Sequence, residues 1–373
     1  MDKLKVITFV GTRPEIIKLS RVINKLDQFT NHFLVHTGQN YDHELNEIFF
    51  KDLNIKKPSF FLECVRETTA ETVGQIVYKS DEIIKKIKPD AVLILGDTNS
   101  CLAAYSAKRN KIPIFHMEAG NRCFDERVPE EINRKIVDHI SDINLPYSDI
   151  ARDCLLREGF AIDRIIKTGS PMQEIINFYK FKIQKSKILK KLKIKKNKYI
   201  VVSIHREENV DHKKQLEKII FILNDLAGTT GLKIIFSVHP RTRKKIKFSG
   251  LKLKKNIITL KPLNYSDYNN LQINSKFVIS DSGTINEEAS ILNFPAINLR
   301  ETHERHEANE EQSTIMTGLD ILNVKRALTL LSKQGKKSFK TPEDYLKNNV
   351  SDKVVRCILS YTNYINQNVW KKN

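Results

Sequence analysis

Short, uninterrupted apolar runs alternate along this chain with stretches of helical periodicity, and that alternation constrains the fold more than any other feature. LKVITFV (4–10), FLVH (33–36), AVLIL (91–95), IPIF (112–115) and INLP (143–146) are rich in β-branched residues and carry no polar alternation. Such runs fit strands buried on both faces of a parallel sheet. Between them, Ile16, Ile17, Leu19, Val22, Ile23 and Leu26 recur at helical spacing after Pro14, and further helices are expected near 70–87, near 99–109 and from Glu130. A second alternation starts at YIVVSI (199–204) and continues through IIFSV (234–238), IITL (257–260), FVIS (277–280) and AINL (296–299). The pattern predicts an α/β chain of two Rossmann-like halves, each a doubly wound sheet.

A chain of 373 residues exceeds what one hydrophobic core usually supports. The halves are expected at 1–175 and 176–345, joined by a lysine-rich helical connector near 170–195. Residues 346–373 are expected as amphipathic helices packing back on the first half. With 40% hydrophobic and 29% charged residues, and no apolar run of about 18 residues, nothing suggests a membrane span. The start MDKLKVITFV enters a strand without an apolar leader, and the five cysteines are scattered with no CxxC pair. Both point to a cytoplasmic protein without disulfides or a zinc site. The net charge of +19 raises the question of nucleic acid. Its lysines concentrate in KIQKSKILKKLKIKKNK (182–198) and RTRKKIKFSGLKLKK (241–255), alternating with Ile and Leu, as solvated residues on amphipathic segments do, so no nucleic-acid partner is expected.

The chemistry-bearing motifs fall where strands end, which is where open α/β sheets bind ligands. Arg13 and Lys18, in GTRPEIIK, are placed for a phosphate at a helix N-terminus. GDTNS (96–100) puts Asp97 after a strand, as a reacting carboxylate or a helix cap. In HMEAGNRCFDERVPEEINR (116–134), Glu118 projects from a strand end, and Pro129 starts a helix with Glu130 and Glu131 in its first turn. Arg134, four residues beyond Glu130, is placed to pair with it. Two carboxylates from a strand end and a helix start can divide acid and base roles. In the second half, His205 ends the first strand, and Ser282, Gly283 and Thr284 open a helix with free N–H groups suited to an anion. Glu288, one turn on, is placed for ribose hydroxyls. No GxGxxG is present, so no nicotinamide cofactor is expected, and no ligand cluster indicates a metal.

Together GTRPEIIK, GDT, HMEAGNR, PEEINR, the His-Arg of HREEN, SDSGTINEE and the later ERHE resemble the non-hydrolysing UDP-N-acetylglucosamine 2-epimerases over nearly the whole chain. The resemblance implies the glycosyltransferase-B architecture, two Rossmann-like domains around a nucleotide-sugar cleft, and a homodimer binding a UDP-N-acetyl sugar and UDP. It implies that Arg13, Lys18, Asp97, Glu118, Glu130 and His205 surround the sugar and its pyrophosphate. Ser282, Gly283, Thr284, Glu288 and Arg305 would hold phosphate and ribose, with Tyr268 against the uracil. The chain departs from the family at Thr284, where a second glycine is usual, at His306, where a proline is usual, in a loop before PEE shorter by about two residues, and in GQNYDHEL (38–45). Residues 116–139 look closer to a subgroup acting on a 6-deoxy sugar, the UDP-N-acetyl-L-fucosamine-forming enzymes. The implied reaction is inversion at C2 by elimination and re-addition of UDP. The other readings are a glycosyltransferase of the same architecture, a hydrolysing 2-epimerase and a nucleic-acid-binding protein.

Overall fold

Twelve parallel strands form two six-stranded sheets in the computed structural model, which describes residues 2–39, 43–238, 240–335 and 339–372. The side chains of 43–47, 207, 208, 240 and 241 are outside that description, so GQNYDHEL (38–45), HREEN (205–209) and HPRTR (239–243) are described only in part. The first sheet comprises β1 Lys5–Val10, β2 Asn31–His36, β3 Phe60–Phe61, β4 Ala91–Leu95, β5 Ile114–Met117 and β6 Ile143–Leu145. Its order is β3-β2-β1-β4-β5-β6. The second comprises β7 Tyr199–Ile204, β8 Lys233–Val238, β9 Ile257–Leu260, β10 Phe277–Ser280, β11 Ala296–Asn298 and β12 Ile315–Met316, in the order β12-β11-β10-β7-β8-β9. Each is a doubly wound Rossmann order whose direction reverses beside the first strand of the half, between β1 and β4 and between β7 and β10.

The strands are buried because both faces are covered. Every residue of β4 is buried, as are Val6 to Val10 of β1. On the second sheet one face packs Ile219, Leu223 and Leu226 against Ile200, Val202 and Phe236. The other packs Tyr199, Val201 and Ile235 against Leu271, Ile285 and Ala289.

Two compact units result, one of Met1–Phe178 with Glu343–Asn373 and one of Tyr179–Pro342. Within the first, the C-terminal segment is one long helix, Val350–Asn368, after a short 3-10 turn. It lies on the first helix, Arg13–Phe29, with Lys25 Nζ 2.8 Å from Asp352. Two details differ from the sequence reading. β5 begins at Ile114 and runs on to Met117, because Pro113 has no N–H for the ladder. β3 and β12, two residues each, are edge strands too short to carry a period.

Candidate functional site

In the first unit, the ends of β1, β4 and β5 bring together the groups at the reversal of strand order. Glu118 directly follows β5 and has φ +68, a left-handed backbone unusual for a residue with a side chain. Its Oε2 lies 2.5 Å from Lys18 Nζ, on the helix after β1, and both side chains are buried. A buried charge of this kind requires such a partner.

Asp97, just past β4, accepts from Arg134 Nε at 3.0 Å, while its backbone carbonyl accepts from Asn133 at 2.9 Å. Arg134 also reaches the first-turn acid Glu131, at 2.8 Å, three residues before it in the helix Pro129–Ile140. Glu131, beside Glu130 in the same first turn, is thus a partner of Arg134 that the sequence reading did not single out. Glu131 is fully buried and accepts from the backbone N–H groups of Cys123 and Phe124 at 3.0 and 3.2 Å, tying the loop after β5 to the helix. Burial pushes its carboxyl up, but these hydrogen bonds and Arg134 outweigh that and leave it below its ordinary value. Glu130, by contrast, is half-buried.

Two further carboxylates, unremarked in the sequence, brace this edge. Glu15 accepts from the backbone N–H of Gly11 and of Thr12, at 3.0 and 2.7 Å, and from the Thr12 and Ser100 hydroxyls. The N–H groups of Gly11 and Thr12 at this turn are therefore taken by an internal carboxylate. Arg13 and Lys18 remain as the cations beside it. Gly11 is required there, since a Cβ would stand 2.5 Å from Thr37 Oγ1. The Thr12-x-x-Glu15 spacing, that of a capping box, was the available signal. Behind Glu118, buried Asp138 accepts from the Gly120 N–H and from Arg122, and pairs with His116 at 2.8 Å. The other ring nitrogen of His116 lies 2.9 Å from the Gly96 carbonyl. This network joins the residues preceding Asp97 and Glu118.

In the second unit the equivalent edge is organised by Asp281, fully buried after β10. It accepts from the backbone N–H of His205 and Arg206 and from Asn209 Nδ2, and lies 3.4 Å from His205 Nδ1. His205 is left 40% exposed at the end of β7, accessible to a ligand. Ser282 and Thr284 exchange a hydroxyl contact of 3.0 Å, and the helix Ile285–Leu292 follows. Thr284 donates its hydroxyl to Glu288, which also accepts from Gln272 at 2.8 Å. Arg305, nearly fully buried, has Nε 3.5 Å from Glu287. Tyr268 packs against the buried cluster that includes Tyr199, Ile235 and Leu271, and its hydroxyl bonds Ser203 at the end of β7. Burial, with Glu288 and Asp281 nearby, pushes its phenol upward. Gly283 presses against Glu304: a Cβ would lie 2.6 Å from Oε1.

Fold and site define an α/β enzyme class in which carboxylates and cations gather at the switch points of two Rossmann-type units, the architecture of the glycosyltransferase-B group. The family model of UDP-N-acetylglucosamine 2-epimerase matches residues 24–359. A curated UDP-N-acetylglucosamine 2-epimerase of Methanococcus maripaludis is 38% identical over 328 residues, 86% of this chain and 89% of that one. Among solved structures, the UDP-N-acetylglucosamine 2-epimerase of Rickettsia bellii superposes with a TM-score of 0.92 at 47% identity, covering 99% and 100% of the two chains. That of Methanocaldococcus jannaschii, in complex with UDP-GlcNAc and UDP, gives 0.90 at 33% identity, covering 96% and 100%. The chain belongs to the UDP-N-acetylglucosamine 2-epimerase family and is an isomerase of that type.

Proposed function

We propose that this protein interconverts UDP-N-acetylglucosamine and its C2 epimer without net hydrolysis. The C2–H of such a sugar is too weakly acidic for direct removal. In the proposed path a carboxylate takes that proton as the C1–O bond breaks and UDP leaves with the electron pair, giving a 2-acetamidoglycal. C2 is then reprotonated on the opposite face, and a UDP oxygen re-adds at C1.

The observation that carries this reading is the buried Lys18–Glu118 pair at a left-handed strand end, beside an Asp97 that Arg134 orients. A carboxylate held against an ammonium on the strand edge where ligands bind is suited to exchange a proton and to accompany a charged leaving group. In this reading Asp97, Glu118 and Glu130 share the proton transfers, and Arg13 and Lys18 stabilise developing charge. His205 meets the diphosphate, which the Ser282–Gly283–Thr284 turn and Arg305 also hold. Glu288 meets the ribose, and Tyr268 lies on the base side. The reaction needs neither metal nor nicotinamide.

Incubation with UDP-N-acetylglucosamine, followed by proton NMR, should show the 2-epimer accumulating to equilibrium with no acceptor and in the presence of EDTA. Free UDP and free sugar in stoichiometric yield would instead mean a hydrolysing enzyme. Turnover only with an added acceptor would mean a glycosyltransferase. A second substrate, the 6-deoxy L-talo/L-fuco pair, rests on residues 116–139 and belongs in the same assay.

We also propose a homodimer. Tyr78, Tyr105, Ile132 and Ile136 are exposed on three neighbouring helices, Thr69–Ile87, Ala103–Arg109 and Pro129–Ile140, as an apolar face that a second copy would cover. Light scattering at twice the chain mass is the expected result. Among the described residues no helix is long and apolar enough to cross a membrane. The five free cysteines suit the reducing cytoplasm proposed for it.

A further inference from the structure

Glu304 sits among cations at the turn that the proposed reading gives to the diphosphate. Its Oε2 accepts from Arg300 Nη1 at 2.7 Å, and its Oε1 lies 3.5 Å from Arg206 Nη2. The same Oε1 stands 2.6 Å from where a Cβ on Gly283 would be, and Arg206 Nη2 stands 3.5 Å from that point. Carboxylate and guanidinium are therefore stacked against the Ser282–Gly283–Thr284 turn. Arg206 is well anchored at its backbone, where its N–H donates to buried Asp281 at 3.0 Å. Its side chain is partly exposed. Arg300 is 4% exposed, and two of its guanidinium nitrogens, Nε and Nη2, are buried without a hydrogen-bond partner. Unsatisfied buried donors of this kind are costly, and they mark a place where further anionic oxygens would be welcome.

We infer that Glu304 is an internal counterion that occupies the cation cluster at the Ser282–Thr284 turn, and that a nucleoside diphosphate binds by displacing it from Arg206. The inference rests on the reading of this turn as the diphosphate site. A carboxylate and a phosphate compete for the same fork of N–H donors, and a phosphate offers more oxygens and more charge. Glu304 thus keeps Arg206 over the turn when no nucleotide is bound and gives it up when one arrives. Arg206 then becomes a direct phosphate ligand, and Glu304 a positioning residue that sets the threshold for binding.

The test is calorimetric titration of the full-length protein with UDP and, separately, with uridine, which lacks the phosphates. Glu304→Gln should tighten UDP binding about three- to tenfold, because the competitor loses its charge, and leave uridine unchanged. Arg206→Ala should weaken UDP at least tenfold, and in that background Glu304→Gln should have no further effect. Glu304→Asp, which keeps the charge, serves as the second variant if the glutamine protein is poorly folded in a thermal melt. Its shorter reach loosens the hold on Arg206, so UDP should bind two- to threefold tighter. The inference is overturned if either Glu304 variant weakens UDP and uridine alike, which would make Glu304 a plain structural residue. It is equally overturned if Arg206→Ala leaves UDP affinity within twofold. Failure of the unmodified protein to bind UDP would strike the nucleotide-sugar reading itself, a different outcome from these.

Discussion

Lys18 Nζ lies 2.5 Å from Glu118 Oε2, with both side chains more than nine-tenths buried, although the residues are a hundred positions apart in the chain. The contact fastens the helix after β1 to the end of β5. Buried pairs lose most when one partner is removed, because the other charge stays behind in a poor solvent. Lys18→Met should therefore cost about 3 kcal/mol in urea unfolding, and the double variant with Glu118→Gln should recover much of it. Additive losses in that cycle would mean that the two groups do not depend on one another.

Glu130 and Glu131 are neighbours of the same chemical type, and the structure fixes the second of them in place. Glu131 is locked by Cys123, Phe124 and Arg134, whereas Glu130 is half-buried. Glu131→Gln should lower the melting temperature and loosen the loop at 121–125, seen as faster amide exchange there. It should also flatten the acid limb of the stability curve. Because the folded carboxyl lies below its ordinary value of 4.5, its contribution is complete above that pH and is lost as the pH falls through the folded value. Glu130→Gln should lower turnover, in keeping with its proposed share of the proton transfers.

What the sequence could and could not reveal follows from the same pair. The positions of Glu118 after a strand, of His205 at the end of β7 and of Ser282 to Thr284 before a helix were legible, since apolar runs bounded by glycine mark strand ends directly. The burial of Glu131 was not. Residues three and four back from Arg134 both lie on its side of a helix, and Glu131's hold on the loop at Cys123 and Phe124 appears only once that loop is folded over the helix. Glu15 was legible in part, since its bonds to Gly11 and Thr12 follow from the local Thr12-x-x-Glu15 spacing, whereas its bond to Ser100 reaches 85 residues away. Asp281 stood in plain view within SDSG, yet its hold on the turn after β7 is a pairing between strands distant in sequence. Long-range partners of buried charges are the part that a one-dimensional reading loses.

His36 offers a pH test of a different part of the same edge. It ends β2, accepts from the Gly38 N–H at 2.9 Å and stacks on Phe61 with ring centroids 4.9 Å apart. Burial pushes its imidazole down to about 4 from an ordinary 6.5. Protonation then favours the unfolded chain, so its contribution to stability is complete above pH 6.5 and is lost as the pH falls toward 4, by up to about 3 kcal/mol. In urea titrations from pH 7.5 to 4.5, His36→Gln should lose less stability than the unmodified protein. Parallel curves would show that His36 is not buried as a neutral ring.

The proposed proton transfers can be tested one carboxylate at a time. Glu118→Gln and Glu130→Gln preserve shape and remove proton transfer, a change worth about 10²–10⁴ in rate for a general acid or base. In deuterated water the unmodified protein should place one deuterium at C2 of the product, since the proton leaves one face and solvent supplies the other. Each variant should slow both epimerisation and incorporation by at least about 10². UDP affinity should largely persist, because the groups proposed to hold the diphosphate, Arg206 and the Ser282–Thr284 turn, are untouched. Glu118→Gln also removes the charge opposite Lys18, so its melting temperature must be measured beside its rate, and a loss of rate without unfolding is the informative result. If both variants exchange C2 hydrogen at nearly the unmodified rate, the two carboxylates are structural, and the proton must move through Asp97 or His205.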